Sequence, residues 1–427
     1  MSNQRISSYI SAHRRFATLL IATMLVLAPA ATLHSQTFSI LHNFSGGADG
    51  ANPIEGVTLQ GSGNLYGGAA LTVFRLRDQG PGWLLYPILE FSGTNGNLAG
   101  RLTVGPDGVF YGATYSGGIQ DCEGFGCGQV FSLRPPATFC PNPFCAWTQT
   151  ILYQFNPVNV PRDGYFPNGG IVFDSTGNLY GTTSMGGVSN QGTVYQLTRS
   201  GGGWTEDAIY DFGGGTDGGS PNAGMVVDQS GNLYGTTFGG GDPTCLFSEE
   251  ACGVVFELSP TSSGWMETVL HTFRNFSDGA QPLGGLVADH NGNLYGTTSL
   301  GGNFGGGAIF ELTHSGAGWT FNVLYDLNGL PGQVGPQGLL AIDTNGNVYG
   351  TTDSEGFAGV GNLFKLAPGG GGWTYTDLHE FAISASNGAY PHDGPTVDAN
   401  GNLFGTTSSG GTGNCFDGCG VIYEVTP

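Results

Sequence analysis

One pentapeptide recurs through this chain and narrows the folds open to it. Gly-Asn-Leu-Tyr-Gly begins at Gly63, Gly177, Gly231 and Gly292, and close variants begin at Gly108, Gly346 and Gly401. The seven copies are mostly 54 to 61 residues apart. A period of that length marks a supersecondary unit that cannot bury its apolar face alone and must stack on its neighbours. Each copy holds four short runs of β-branched and aromatic residues bounded by Gly, Asn, Asp and Ser. In one copy they are 224–228, 232–237, 254–258 and 265–273. Beyond the leader no stretch shows a 3.6-residue apolar period. The pattern predicts an all-β fold over residues 36–427: a seven-bladed β-propeller of four-stranded antiparallel blades.

Tryptophan fixes the register. Trp83, Trp147, Trp204, Trp265, Trp319 and Trp373 each open a fourth run, and each is followed eight residues later by Phe or Leu. The seventh such run is 36–44, with Gln36 in place of Trp, whereas the chain ends on a third run, 421–425. The N-terminal strand is therefore expected to close the ring by pairing residues 38–43 antiparallel with 420–426. The missing indole is read as packing at a hairpin that the chain termini remove. Glycine beside the recurring aromatic, as in Tyr234-Gly235, is expected to let adjacent sheets approach closely.

Residues 1–30 read as a secretory signal peptide. Arg14 and Arg15 precede an apolar run, 16–27, and Ala28-Pro29-Ala30 suits cleavage there, with a later site at residue 35 as the alternative. Loss of a leader carrying Arg5, Arg14 and Arg15 takes the net charge from −21 to −24. Such a surface repels phosphate backbones and excludes nucleic-acid partners. No membrane span is expected in the mature chain, which is read as a secreted or periplasmic monomer. Export favours disulfides for the four close pairs Cys122/Cys127, Cys140/Cys145, Cys245/Cys252 and Cys415/Cys419. A four-cysteine zinc site from the first two pairs would need ligands from opposite ends of a strand.

Repeats reading Gly-Asn-Leu-Tyr-Gly-Thr-Thr, Gly-x-Val-Phe-x-Leu and Gly-x-Gly-Trp resemble the GloVer tandem-repeat family of bacterial proteins over essentially residues 36–427. The resemblance implies export and supplies no catalytic residue, ligand or cofactor. Members often carry C-terminal sorting anchors, and none is seen here. The first copy departs from the pattern, because Gly67-Gly68-Ala69-Ala70 runs almost directly into its third strand.

Alternating strands place the second-to-third loops and the links between blades at one face, where variable loops on a rigid scaffold suit binding. The candidates there are the acids Asp121 and Glu249 and the aromatics Phe125, Tyr165, Phe166, Phe247, Phe304, Phe357, Tyr390 and Phe416. Flat rings and carboxylates suit glycans or cationic groups, although such residues also serve to pack loops and solvate a surface. Asp49, Asp163, Asp217 and Asp278, in Asp-Gly-x-x-Pro links, are read as turn formers, since one carboxylate per blade does not converge on a metal. His42, His271 and His379 share a position with Tyr153, Tyr210 and Tyr325, which favours packing. No catalytic or metal-ligating set is visible. The favoured class is a non-catalytic binding or scaffold module for a glycan or protein. The alternative is an extracellular hydrolase or lyase of carbohydrates with carboxylates at the channel mouth.

Overall fold

The computed structural model describes residues 36–426 apart from 62, 93–95, 137–146, 246–250, 275–276, 317, 330–334, 355 and 357. The proposed leader, Cys140, Cys145, Phe247, Glu249 and Phe357 lie outside the described residues. Seven four-stranded antiparallel sheets form the ring of a β-propeller. Blades 1 to 6 take residues 57–90, 103–154, 164–211, 226–272, 287–328 and 341–380 in order. Blade 7 combines Thr396–Val397, Leu403–Thr407 and Val421–Thr426 with the N-terminal strand Thr37–Asn43. The closing pair runs from Thr37↔Thr426 to Asn43↔Val421, in the register expected. One added element, a ribbon of Gly388–Ala389 and Ser409–Gly410, lies outside the four-strand pattern. The short first copy turns through Ala70 and Leu71 between Asn64–Ala69 and Thr72–Asp78.

Each outer strand carries a β-bulge at the same place, between Val73 and Phe74 opposite in blade 1 and between Val255 and Phe256 in blade 4. The closing strand has it too, between Ile40 and His42. One extra residue reverses the face to which later side chains point. The first half of every outer strand therefore faces the preceding blade and the second half the following one. Trp147, Trp204, Trp265, Trp319, Trp373 and Trp83 each lie 5.5–6.3 Å, ring to ring, from the second-strand Tyr or Phe of the blade before. Eight residues on, Phe44, Phe91, Phe155, Phe212, Phe273 and Phe381 meet the third-strand aromatic of the blade after, at 5.1–5.7 Å. These two girdles hold the ring together, and buried aromatic pairs of this kind combine large apolar burial with favourable edge geometry.

Two expectations are corrected. The contact all six indoles share is a clasp on the neighbouring blade, and packing on their own hairpin accompanies it at Trp204 and Trp319. At the seventh junction Gln36 leaves Tyr349 without one, and the Lys365 ammonium lies 5.7 Å from that ring. The glycine beside the tyrosine serves its own sheet: a Cβ on Gly235 would sit 2.6 Å from Cζ of Phe256, which lies across it. Of the cysteines described, Cys122–Cys127, Cys245–Cys252 and Cys415–Cys419 are disulfide-bonded. Among the described residues no helix is long and apolar enough to cross a membrane.

Candidate functional site

The Asp-Gly links start at the rim with their aspartates turned inward. Asp163 accepts the Asn156 N–H at 2.6 Å and the Tyr153 hydroxyl at 2.9 Å. Asp278 is 3.0 Å from Nε2 of His271. The Asp-x-x-Gly-Asn aspartates close their own turns, as when Asp228 Oδ1 accepts the N–H groups of Ser230 and Asn232 at 2.8 and 2.9 Å. Both sets are structural, as their turn chemistry suggests.

Each link then runs inward and ends in the residues just before its inner strand. Cross-strand pairing aligns these ends through Thr58, Thr103, Val172, Val226, Val287, Ala341 and Thr396, each opposite a second-strand Tyr or Phe. All seven ends surround a cavity of about 340 Å³ at the propeller axis, a size within the range of small-ligand sites. Three residues before the aligned position stand Glu55, Gly100, Gly169, Ala223, Gly284, Gly338 and Asp393. Small residues are required where links touch: a Cβ on Gly284 would lie 2.5 Å from the Gly338 carbonyl oxygen. Two of the seven nevertheless carry acids, and the next position holds Arg101 where most blades have Gly.

The charge thus falls on blades 7, 1 and 2, which ring closure makes adjacent. Arg101 Nε pairs with Asp393 Oδ2, Nη2 donates to the Gly394 carbonyl, and Nη1 donates to Thr396 Oγ1 at 2.9 Å. Only 16% of the Arg101 side chain and 12% of that of Asp393 is exposed. Asp393 Oδ1 also accepts the Leu339 and Gly394 N–H groups, each at 2.9 Å. Thr58, Thr103 and Thr396 donate to Leu102, Ile171 and Val57 carbonyls of the following blade. The other four blades have Val or Ala there, so the charged sector is also the one tied together by inner-strand hydroxyls.

Glu55 lines the cavity beside this pair and keeps some solvent contact. Burial in the surrounding protein, reinforced by Asp393 and opposed by Arg101, pushes its carboxyl up to about 8. It is therefore a neutral acid at pH 7, able to donate as well as accept. Below the pair, Tyr423 takes the third-strand place filled by Phe74, Phe256 and Phe310 elsewhere. Its hydroxyl is buried without a hydrogen-bond partner, and burial raises its pKa, with Arg101 opposing and Asp393 adding.

The loop candidates are dispersed around the rim. Phe125 is 70% exposed, Phe304 60% and Phe416 95%, on second-to-third loops of blades 2, 5 and 7. Asp121 is exposed beside Phe125. Phe166 is buried against Tyr115, with centroids 4.8 Å apart. Tyr165 is half-buried and donates to Asn190 at 3.0 Å, and Tyr390 packs on the core between blades 6 and 7. The axial residues were missed by sequence reasoning. The signal was present: aligning the Pro-x-Gly-Gly ends of the links shows Glu55, Arg101 and Asp393 as the charged departures.

The fold is a seven-bladed propeller with a polar axial pocket on its link face. The chain belongs to the Gloeobacter/Verrucomicrobia repeat family, whose model matches residues 30–246 and 244–427. No curated protein matches it. Among solved structures it is similar to the extracellular domain assigned to a hybrid two-component system from B. thetaiotaomicron, with 12% identity and a TM-score of 0.52. That likeness covers 92% of this chain and 41% of the other, so the chain spans about two-fifths of that structure. It is also similar to a polysaccharide lyase, an ulvan lyase bound to -[GlcA(1-4)Rha3S]-, with 12% identity, a TM-score of 0.51 and coverage of 91% and 95%. At such identities the likeness extends to the fold alone.

Proposed function

We propose that the protein is an exported, non-catalytic binding module that holds a glycan or protein on its link face, with the axial pocket as the centre. Three disulfides and the likeness to extracellular propeller domains support an extracellular or periplasmic setting. The observation that carries the reading is the concentration of Glu55, Arg101 and Asp393 in one sector of a pocket whose remaining lining is glycine-rich backbone with amide, aliphatic and His392 side chains. Phe125, Phe304 and Phe416 stand outside it as exposed rings for a longer ligand to meet. Hydrolysis by a carboxyl pair needs a second free carboxylate near Glu55, and the other base in the lining, His392, is already paired with Asp353 through Nδ1. Asp393 is committed to Arg101 and two backbone N–H groups, which favours binding over turnover.

A glycan array, followed by a reducing-end release assay on every hit, tests this with the mature chain and with Ile54→Trp. Ile54 is 43% exposed at the pocket, so an indole there fills the mouth without disturbing the core. Binding without turnover, lost in Ile54→Trp, is expected. Turnover abolished by a single carboxylate change would replace the reading with the enzymatic one.

A further inference from the structure

We infer that the axial pocket takes an uncharged, hydroxyl-rich ligand, the terminal sugar of a neutral glycan, and neither a cation nor an anion. The inference rests on the binding reading above and narrows it to a ligand class.

The charges in the pocket cancel among themselves. Arg101 turns Nε and one N–H of each terminal nitrogen to Asp393, Thr396 and Gly394, so its charge is already met by a carboxylate before any anion arrives. Asp393 has Arg101 on one oxygen and two N–H groups on the other, so its charge is already neutralised and offers a cation little. His392, also in the lining, lies with Nδ1 2.9 Å from Asp353 Oδ1. What remains to meet a ligand is Glu55, the Gln337 amide, the Asn222 NH2 group and the remaining N–H of Asn168, whose amide donates to Asn222 at 3.3 Å, and the backbone of the glycine-rich links. Among the described residues the Glu55 carboxyl makes no hydrogen bond within the protein. With Glu55 protonated, this set is neutral and mixes donors with acceptors, which is what sugar hydroxyls require. Because links of all seven blades encircle the pocket, a polymer reaches it with an end. A chain lying across the ring stays above it.

Calorimetry on the mature chain distinguishes the alternatives, with cellohexaose and maltohexaose as neutral probes, hexagalacturonate as the anion and a chitosan hexamer as the cation. A neutral probe should bind at pH 6 at least tenfold more tightly than either charged one. Glu55 faces Asp393, Arg101 and His392, and its ionisation above pH 8 introduces an unpaired negative charge. Wild-type affinity for the neutral probe should therefore drop at least tenfold at pH 9. Glu55→Gln, neutral at every pH, should bind equally at both and shows that the fold is intact at pH 9. A charged probe that binds best and is blocked by Ile54→Trp overturns the inference and leaves the binding-module reading standing. Neutral binding that ignores pH in the wild type also overturns it. Silence from every probe at millimolar concentration overturns both for glycans.

Discussion

Replacing Glu206 with Gln should remove a pH dependence built into the junction of blades 2 and 3. Glu206, two residues after Trp204, precedes the bulge and so faces the preceding blade. There its carboxyl and Asp163 share one hydroxyl, that of Tyr153, which donates to Asp163 at 2.9 Å. One hydroxyl proton cannot satisfy two carboxylates, so Glu206 must bring a proton of its own. Burial, with Asp163 and Asp207 adding, pushes Glu206 from 4.5 up to about 8, and burial takes Asp163 to about 6. A raised acid binds its proton in the folded state and releases it on unfolding. Its contribution is therefore fully present below pH 4.5 and is lost progressively as pH rises to about 8. At ~1.4 kcal/mol per pH unit the loss by pH 7 has a ceiling of roughly 3 kcal/mol. Partial exposure of Glu206 and its coupling to Asp163 reduce this to about 2 kcal/mol. Denaturant titrations read by tryptophan fluorescence between pH 4.5 and 8.5 should show Glu206→Gln equal to wild type at the acid end. By pH 7 it should be more stable by that amount, because the amide keeps a donor for Tyr153 without a charge to bury. Two curves that run parallel across the range would refute the shared-proton account.

Three further outcomes follow from the packing. Deleting residues 36–44 should expose the Val421–Thr426 edge and abolish cooperative unfolding, whereas removing 1–35 should not; Phe44→Ala alone, at a fully buried ring, should cost about 3–5 kcal/mol by denaturant titration. Trp265→Ala should cost about 2 kcal/mol by opening the clasp on Tyr180, and Gln36→Trp should raise stability by about 1 kcal/mol by covering Tyr349; an unchanged melting temperature in Gln36→Trp would contradict the clasp. Peptide mapping of secreted protein should find all four local cysteine pairs oxidised, the fourth being Cys140/Cys145, each contributing about 2–3 kcal/mol through a short closed loop; free thiols or stoichiometric zinc would count against it.

Local chemistry determined much of this protein. Strand-forming runs, Asp and Gly turns and the Trp register are short-range features, so seven four-stranded blades, the closing strand and the structural role of the aspartates were all legible in the residues. The bulge was not, because a one-residue slip changes no composition, yet it decides that Trp265 faces blade 3 while Phe273 faces blade 5. The axial pocket needed the closed ring. Arg101 and Asp393 are 292 residues apart, and although aligned links single them out as charged, nothing in the links says that they meet. Only closure sets the last blade beside the first, gathers seven link ends around one axis and buries Glu55 against that ion pair. The carboxyl's affinity for its proton is a property of that enclosure, and no stretch of sequence contains it.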